Sequence, residues 1–441
     1  MNSNLETSAG RSTTNRWFGV LALFVLVAIS YVDRINLSVL ITDKSFLQQM
    51  GMAVGDRASQ GFLATAFMAG YGLSAIFFTP FAVALFGVRR GLIYGVTLWG
   101  AVTIVTPWFH SYSELLWSRV LLGVSEGPLF SLASYYIKAY FESRENGKPN
   151  SWVNMGTGTG LALGFPFVSY MLGGYDWQTS FYALGAINLV LGLPLILLFI
   201  YMPSEMERNR KAISVGESLR QVRGMVRGTL ETRNLLLLTV MTAAFLAYLW
   251  GSSNWLPSYL KEARGFSLRE MGWMASLPQY ASILAVFIGG FLIDKLGRHR
   301  VPLIFVGASI CVGLSILIAI NVENRYAATV ALIAANFFWG LQSPSFPSSV
   351  QHFSKPANVA SAFGITNGVG SLVAGFMPAI MGIVISSVAA GSGSSTGAGF
   401  FAGFALLIGT QFVVLGCALV LWFRERGNVT AGTTASPMTS R

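Results

Sequence analysis

An aspartate and an arginine stand side by side at positions 33 and 34, inside an apolar run from 17 to 41 that is long enough to cross a lipid bilayer. At about 1.5 Å per residue, Asp33 lies roughly 12 Å inward from the Ile41 end, well within a hydrocarbon core about 30 Å thick. Its short side chain cannot snorkel to the surface from there. An ionisable group at that depth costs a few kcal/mol, so it normally faces a partner or a water-filled cavity and marks a substrate or proton path. A plain structural use, an Asp–Arg pair pinning two helices together, is the alternative.

Arg34 keeps its charge at any relevant pH and presents a planar fork that matches a carboxylate in two parallel hydrogen bonds, which a lysine does not. An anion site is its natural use. Asp33, and Glu126 in another apolar run, can each exist neutral or charged: burial favours the neutral form and a nearby guanidinium the charged one. An anionic ligand that occupies Arg34 removes that neutralisation and draws a proton to the carboxylates. Anion and proton then move together. Glu126 lies about 17 Å from its helix end, a depth like that of Asp33, and Arg119, Gly123 and Glu126 share one helix face at i, i+4 and i+7. A structural Arg119–Glu126 pair is the plainer reading of that face.

Tyr71, Asn254, Gln279, Gln342, Ser343 and Asn367 are further polar side chains in apolar segments, where a helix–helix hydrogen bond is as good a use as a ligand contact. His110 and His352 sit near segment ends, and the three histidines have no cysteine or carboxylate at ligand spacing, so no metal site is expected. Gly156-Thr157-Gly158-Thr159-Gly160 lacks the lysine and the preceding strand of a phosphate loop and reads as tight helix packing. No cofactor and no enzymatic constellation is expected.

The elements that position these groups follow from composition. The 441 residues are 53% hydrophobic and only 11% charged, against about 25% charged for a soluble domain. This is the composition of an integral membrane protein, and its 48 glycines suit helices that approach closely in lipid. Apolar segments fall at 17–41, 58–85, 91–109, 115–136, 152–170 and 177–200, then at 235–259, 271–293, 301–320, 327–350, 359–387 and 399–423. Twelve membrane helices are expected, in two six-helix bundles at 17–203 and 234–423. They are joined by a basic linker at 204–233 and flanked by tails at 1–16 and 424–441. Cys311 and Cys417 lie in apolar runs and read as small buried hydrophobes.

The net charge of +11 is a topology signal rather than a nucleic-acid footprint, because the basic residues fill short gaps between apolar runs. Placing both tails, the linker and the even-numbered gaps on one side collects 21 of the 29 Lys and Arg there, which puts both termini in the cytoplasm. No cleavable leader is expected from the polar N-terminal residues.

The halves read as repeats. Leu85-Phe86-Gly87-Val88-Arg89-Arg90 and Lys295-Leu296-Gly297-Arg298-His299-Arg300 follow the second segment of each half, 210 residues apart from Gly87 to Gly297. Duplicated six-helix units with a binding site at the midplane are how many secondary transporters are built.

The stretch from Gly289 to Arg300 resembles the loop signature G-x-L-x-D-R-x-G-R-R of the major facilitator superfamily, which implies a charge latch in which Asp294 and Arg298 hold a gate. The first-half copy departs from it, with Ala84 and Leu85 where the family has Asp and Arg. Tyr31-Val32-Asp33-Arg34-Ile35-Asn36-Leu37 is similar to the Y-x-D-R-x-N-L signature of the superfamily's anion:cation symporters, which include sugar-acid, aromatic-acid and sialin-like carriers. Arg119 to Pro128, Trp255 to Leu260 and Gly364 to Gly368 resemble the same group.

The resemblance implies a major facilitator fold working by alternating access, monomeric, in the inner membrane, importing an organic carboxylate with protons. It implies proton binding at Asp33 and Glu126, carboxylate binding at Arg34, and cavity contacts at Tyr31, Tyr71 and Asn367. Thr157 stands where a sugar-acid symporter of the group has a hydroxyl-reading glutamine, which points away from a heavily hydroxylated substrate. Proton-driven export of an amphipathic compound is the alternative on the same fold, though Arg34 argues for an anionic ligand. A receptor that senses without transport is a third, with no signalling domain expected after the last segment.

Overall fold

The computed structural model describes residues 3–78, 86–141, 147–202, 220, 234–296, 300–353, 359–391 and 396–434, and these are almost wholly helical, with no strand among them. The 204–233 linker, apart from Arg220, lies outside the described residues.

Ten of the helices are long and apolar enough to span a membrane. The other two expected spans are helical as well, at Gly147–Gly174 and at Arg325–Gln342 continued by Ser345–Phe353. The fifth carries Asn150, Asn154 and a run of glycine and threonine, and the tenth is broken at Ser343-Pro344, so each is a weaker apolar signal than its neighbours.

Short polar side chains start the helices as the sequence dictates. Asp43, Asp56, Asp176 and Asn324 accept backbone N–H groups of the first turn, and Ser111 forms a reciprocal capping box with Glu114. Each cap satisfies donors that a helix end otherwise leaves orphaned.

The chain packs as two compact units. The first comprises residues 1–222 with 250–280 and 375–402, and the second comprises 223–249, 281–374 and 403–441.

Within the first unit the first helix (Ser3–Leu40) lies along the fifth (Gly147–Gly174), and the second (Arg57–Leu73) lies along the fourth (Tyr112–Glu126). Both pairings depend on glycine. A Cβ on Gly160 would stand 2.3 Å from the Ala28 carbonyl oxygen, and one on Gly123 would stand 2.1 Å from that of Phe67. Backbone meets backbone at these points, as small residues allow in lipid, and the Gly156-to-Gly160 run does serve packing. The short segments 250–280 and 375–402 join this unit at the start of the second helix. There Arg57 pairs with Glu262, the Arg57 N–H donates to the Ser386 hydroxyl at 3.1 Å, and Trp255 Nε1 donates to the Pro378 carbonyl at 2.9 Å.

In the second unit, amides and aromatics bind the helices together. Trp339 Nε1 donates to the Phe245 carbonyl at 3.0 Å, its ring stacks on Phe245 at 4.4 Å, and Gln342 donates to Gln411 at 3.4 Å.

Candidate functional site

The site is built in the first unit, where the first, second and fourth helices meet the start of segment 250–280. The Gly123 contact draws the second and fourth helices together, so that Phe67 and Tyr71, one turn apart on the second, and Arg119 and Glu126, two turns apart on the fourth, gather around Arg34 of the first helix.

Arg34 pairs with Glu126, not with its neighbour Asp33: Nε donates to Glu126 Oε2 at 2.9 Å, with both side chains buried. Consecutive residues on a helix point about 100° apart, so the two charges that look paired in the sequence are sent to different neighbours. Asp33 turns to the sixth membrane helix (Trp177–Phe199), where Asn188 Nδ2 donates to its Oδ2 at 2.7 Å.

The Arg34 guanidinium is caged by aromatic rings, with its carbon 4.3 Å from the ring centre of Tyr31, 4.6 Å from Tyr71, 5.2 Å from Phe67 and 5.7 Å from Trp250. Such faces stabilise a desolvated cation by roughly 0.5–2 kcal/mol and fix the plane of the fork. Its outer nitrogens Nη1 and Nη2 are buried with no hydrogen-bond partner among the described residues. One edge of the guanidinium is therefore engaged by the protein and the other is left open.

Arg119 is 3% exposed and rests over the Phe67 ring at 5.3 Å. Among the described residues it has no ion-pair partner, since Glu126 is taken by Arg34. The Arg119–Glu126 pair that the helix face allowed is not formed. Arg34 and Arg119 together line a cavity of about 30 Å³ that also touches Phe67, Trp250, Ser253 and Asn254. That is room for about one water, and Asn254 Nδ2 and Ser253 Oγ in its wall are likewise buried without a partner.

The structure thus brings Tyr31, Arg34, Tyr71 and Glu126 together, with Asp33 immediately behind them. Thr157 is half-buried on the fifth helix and does not line the cavity. Asn367 is exposed on a helix of the second unit. The Asp294 side chain and the whole of Arg298 lie outside the described residues, as does the departure at Ala84 and Leu85. Arg89, in the first-half basic turn, donates Nη2 to the Leu197 carbonyl at 2.8 Å, a cation at a helix C-terminus.

Sequence reasoning missed three members of the site. Phe67 carried a signal, one helical turn before Tyr71 on the same face. Trp250 and Asn188 carried only the weak one of a polar-edged residue in an apolar run, and nothing in the sequence aligned them with position 34.

Comparison with known proteins agrees with this architecture. Among solved structures, a D-xylose-proton symporter superposes with a TM-score of 0.72 at 15% identity, covering 92% of this chain and 96% of that one. A bacterial homologue of the human lysosomal transporter Spinster, in an inward-facing unoccupied conformation, superposes with a TM-score of 0.71 at 16% identity, covering 93% and 97%. By sequence the chain is 26% identical over 340 residues to the "Probable sulfoacetate transporter SauU" of Cupriavidus necator, covering 74% of this chain and 77% of that protein. It is 24% identical over 430 residues to the "Probable galactarate/D-glucarate transporter GudP" of Bacillus subtilis, covering 90% of each. With the "D-galactonate transporter" of Escherichia coli it shares 23% identity over 446 residues, covering 93% and 98%. The family model described as Major Facilitator Superfamily matches residues 23–378. The aromatic-caged arginine, the buried carboxylates and the helical architecture around them therefore sit in a chain that belongs to the Major Facilitator Superfamily of membrane transporters.

Proposed function

We propose that the protein is a symporter that imports an organic anion together with protons by alternating access across the inner membrane. The observation that carries this reading is Arg34, a buried guanidinium with Nε bound to Glu126 and both outer nitrogens unpartnered. That open edge matches a carboxylate bidentately.

An anion seated there shares Arg34 with Glu126. The guanidinium then neutralises Glu126 less well, and the buried carboxylate takes up a proton, so substrate and proton load together. Asp33, held by Asn188 behind the site, is the second proton carrier. Tyr31 and Tyr71 shape the pocket around the ligand, and Asn367 and Thr157 contact it from their own helices at another stage of the cycle. The turn holding Asp294 and Arg298 latches the gate.

The geometry supports a finer statement about the substrate. A buried arginine held in no ion pair costs a few kcal/mol at membrane depth, and Arg119, with no ion-pair partner among the described residues, lines the same cavity as Arg34. A ligand with two anionic groups satisfies both. Sulfoacetate and galactarate, named for two of the relatives, are dianions; galactonate, named for a third, carries one charge.

Purified protein in liposomes, offered a panel of mono- and dianionic carboxylates and sulfonates under an inward proton gradient, tests the reading. Accumulation of at least one acid above equilibrium is expected, and failure of every acid tested to accumulate or exchange refutes it. The distribution of basic residues favours cytoplasmic termini, so reporter fusions at Ser204 and at the C-terminus are both expected to report the cytoplasm. A periplasmic signal from either would overturn the topology.

A further inference from the structure

We infer that Asn188 is the positioning residue for proton binding at Asp33: it holds the carboxyl by Oδ2 and leaves Oδ1 as the oxygen that takes the proton. The inference rests on the proposed role of Asp33 as a proton carrier.

Asn188 is fully buried in the sixth membrane helix, and its Nδ2–H donates to Asp33 Oδ2 at 2.7 Å. Asp33 Oδ1 and Asn188 Oδ1 are both buried with no hydrogen-bond partner among the described residues. One oxygen of the carboxyl is thus occupied and the other is without a partner.

The local backbone is built for this contact. The sixth helix runs as Trp177–Ile187, then a π-helical turn Asn188–Gly192, then Leu193–Phe199. A single π turn widens a helix by one residue and is commonly found where a side chain must be re-aimed for function. Here the turn opens on Asn188 itself. It is accommodated by Gly100 of the third helix (Gly87–Val105), where a Cβ would meet Leu189 Cδ2 at 2.8 Å and Asn188 Cβ at 3.3 Å.

The charged groups acting on Asp33 are Arg34 of its own helix and Glu126 and Arg119 of the fourth. The third helix carries only Arg89 and Arg90, at its start, the fifth only Lys148, at its start, the 129–140 segment only Lys138, near its end, and the sixth no charged residue at all. Asn188 is therefore the one neutral donor on Asp33 among the described residues. A plain helix tie is the competing use. It would leave the titration of Asp33 untouched when replaced, whereas a donated hydrogen bond favours the carboxylate over the acid.

The test needs no ligand. Infrared difference spectra of the purified full-length protein, recorded across a pH titration, report the C=O band of each protonated carboxyl, and the band lost in Asp33→Asn is that of Asp33. In Asn188→Leu and Asn188→Ala, which differ in volume but both lack the donor, the midpoint of that band is expected to move to higher pH by about one to two units, the worth of a hydrogen bond to a charged group. Its frequency should shift as well. On an Asp33→Asn background neither variant has a band left to move. A midpoint unchanged in both Asn188 variants overturns the inference while leaving Asp33 as the proton carrier. If instead the wild type shows no titrating band that Asp33→Asn removes, the proton reading of Asp33 itself has failed. Loss of folded protein in both Asn188 variants would assign the contact to the fold and also overturn the inference.

Discussion

Replacing Arg34 by lysine keeps the charge and removes the fork, which makes it the sharpest probe of the proposed anion site. In the structure Nε is committed to Glu126 at 2.9 Å while Nη1 and Nη2 are buried and unpartnered. A lysine ammonium at the end of a flexible stem can approach Glu126 or the incoming anion, and it cannot place two parallel donors on one carboxylate. The variant therefore loses one charge-assisted hydrogen bond to the ligand, worth about 1.5–3 kcal/mol. Whichever anion the ammonium neglects is left buried and unpaired, which raises the total towards about 3–5 kcal/mol. The aromatic cage, set to receive a flat cation, offers a compact ammonium poorer contact. Affinity should fall by about two to three and a half orders of magnitude. The assay is equilibrium binding of the acid that the wild type binds most tightly, on variant protein whose folded state is checked by its thermal transition. A well-folded Arg34→Lys protein that binds within about threefold of wild type would refute the argument that the open edge of the guanidinium is the ligand, and would return Arg34 to a structural role.

Three further outcomes follow from the same geometry. Glu126→Gln imitates the protonated carboxyl permanently, so it is expected to exchange labelled for unlabelled substrate across liposomes yet fail to accumulate it under a pH gradient; wild-type accumulation would remove Glu126 from coupling. Arg119→Leu removes the guanidinium that has no ion-pair partner among the described residues and should weaken a dianionic ligand more than tenfold while changing a monoanionic one by less than about threefold, since one charge-assisted bond is at stake; equal losses for both would refute the two-charge reading. Gly123→Ala places a methyl 2.1 Å from the Phe67 carbonyl and 2.7 Å from the Tyr71 amide nitrogen, so the second and fourth helices must part; a loss of about 1–3 kcal/mol in stability is expected, and an unshifted thermal transition would show that this contact is looser than it stands.

The membrane helices and their number were legible because apolar length is a coarse property that survives any rotation of the helix. The fifth and tenth helices were the least legible by hydropathy, and they are the two that glycine, polar residues and a break make less apolar. The expensive residues were legible for a related reason: Asp33, Arg34, Arg119 and Glu126 stand out wherever they point. Their pairing was not. Whether Arg34 meets Asp33 or Glu126 depends on which way the first helix is turned, and hydropathy does not record that angle. Helical geometry alone disfavours an interaction between adjacent residues, so the absence of an Asp33–Arg34 pair could have been read, though not the identity of the substitute. Asn188 was out of reach, because a π turn shifts the register of the sixth helix and no sequence pattern marks it. The degraded first-half turn is a milder case. Arg89 survives there in contact with a helix C-terminus, a use that a latch signature does not describe.

The distribution of buried charge bears on how many protons the proposed symport would carry. Among the described residues every buried charged side chain belongs to the first unit, and four of them surround the site: Asp33, Arg34, Arg119 and Glu126. Two are positive and two negative, so the empty site is neutral when both carboxyls are ionised. Among the described residues the buried polar side chains of the second unit are hydroxyls and amides, such as Asn336, Gln342 and Gln411. A dianion entering such a site leaves it with two net negative charges unless protons enter as well, and uncompensated charge at this depth costs several kcal/mol. The two carboxyls offer two places for those protons, Glu126 where the substrate shares Arg34 and Asp33 behind it. A dianion should therefore travel with two protons and a monoanion with one, and in either case the loaded carrier reorients without net charge. Uptake into liposomes is then expected to respond to a pH gradient and to be unaffected by a membrane potential set with potassium and valinomycin. If the potential alone drives or blocks accumulation, net charge crosses with the substrate, and the balance of two carboxyls against two guanidiniums does not set the stoichiometry.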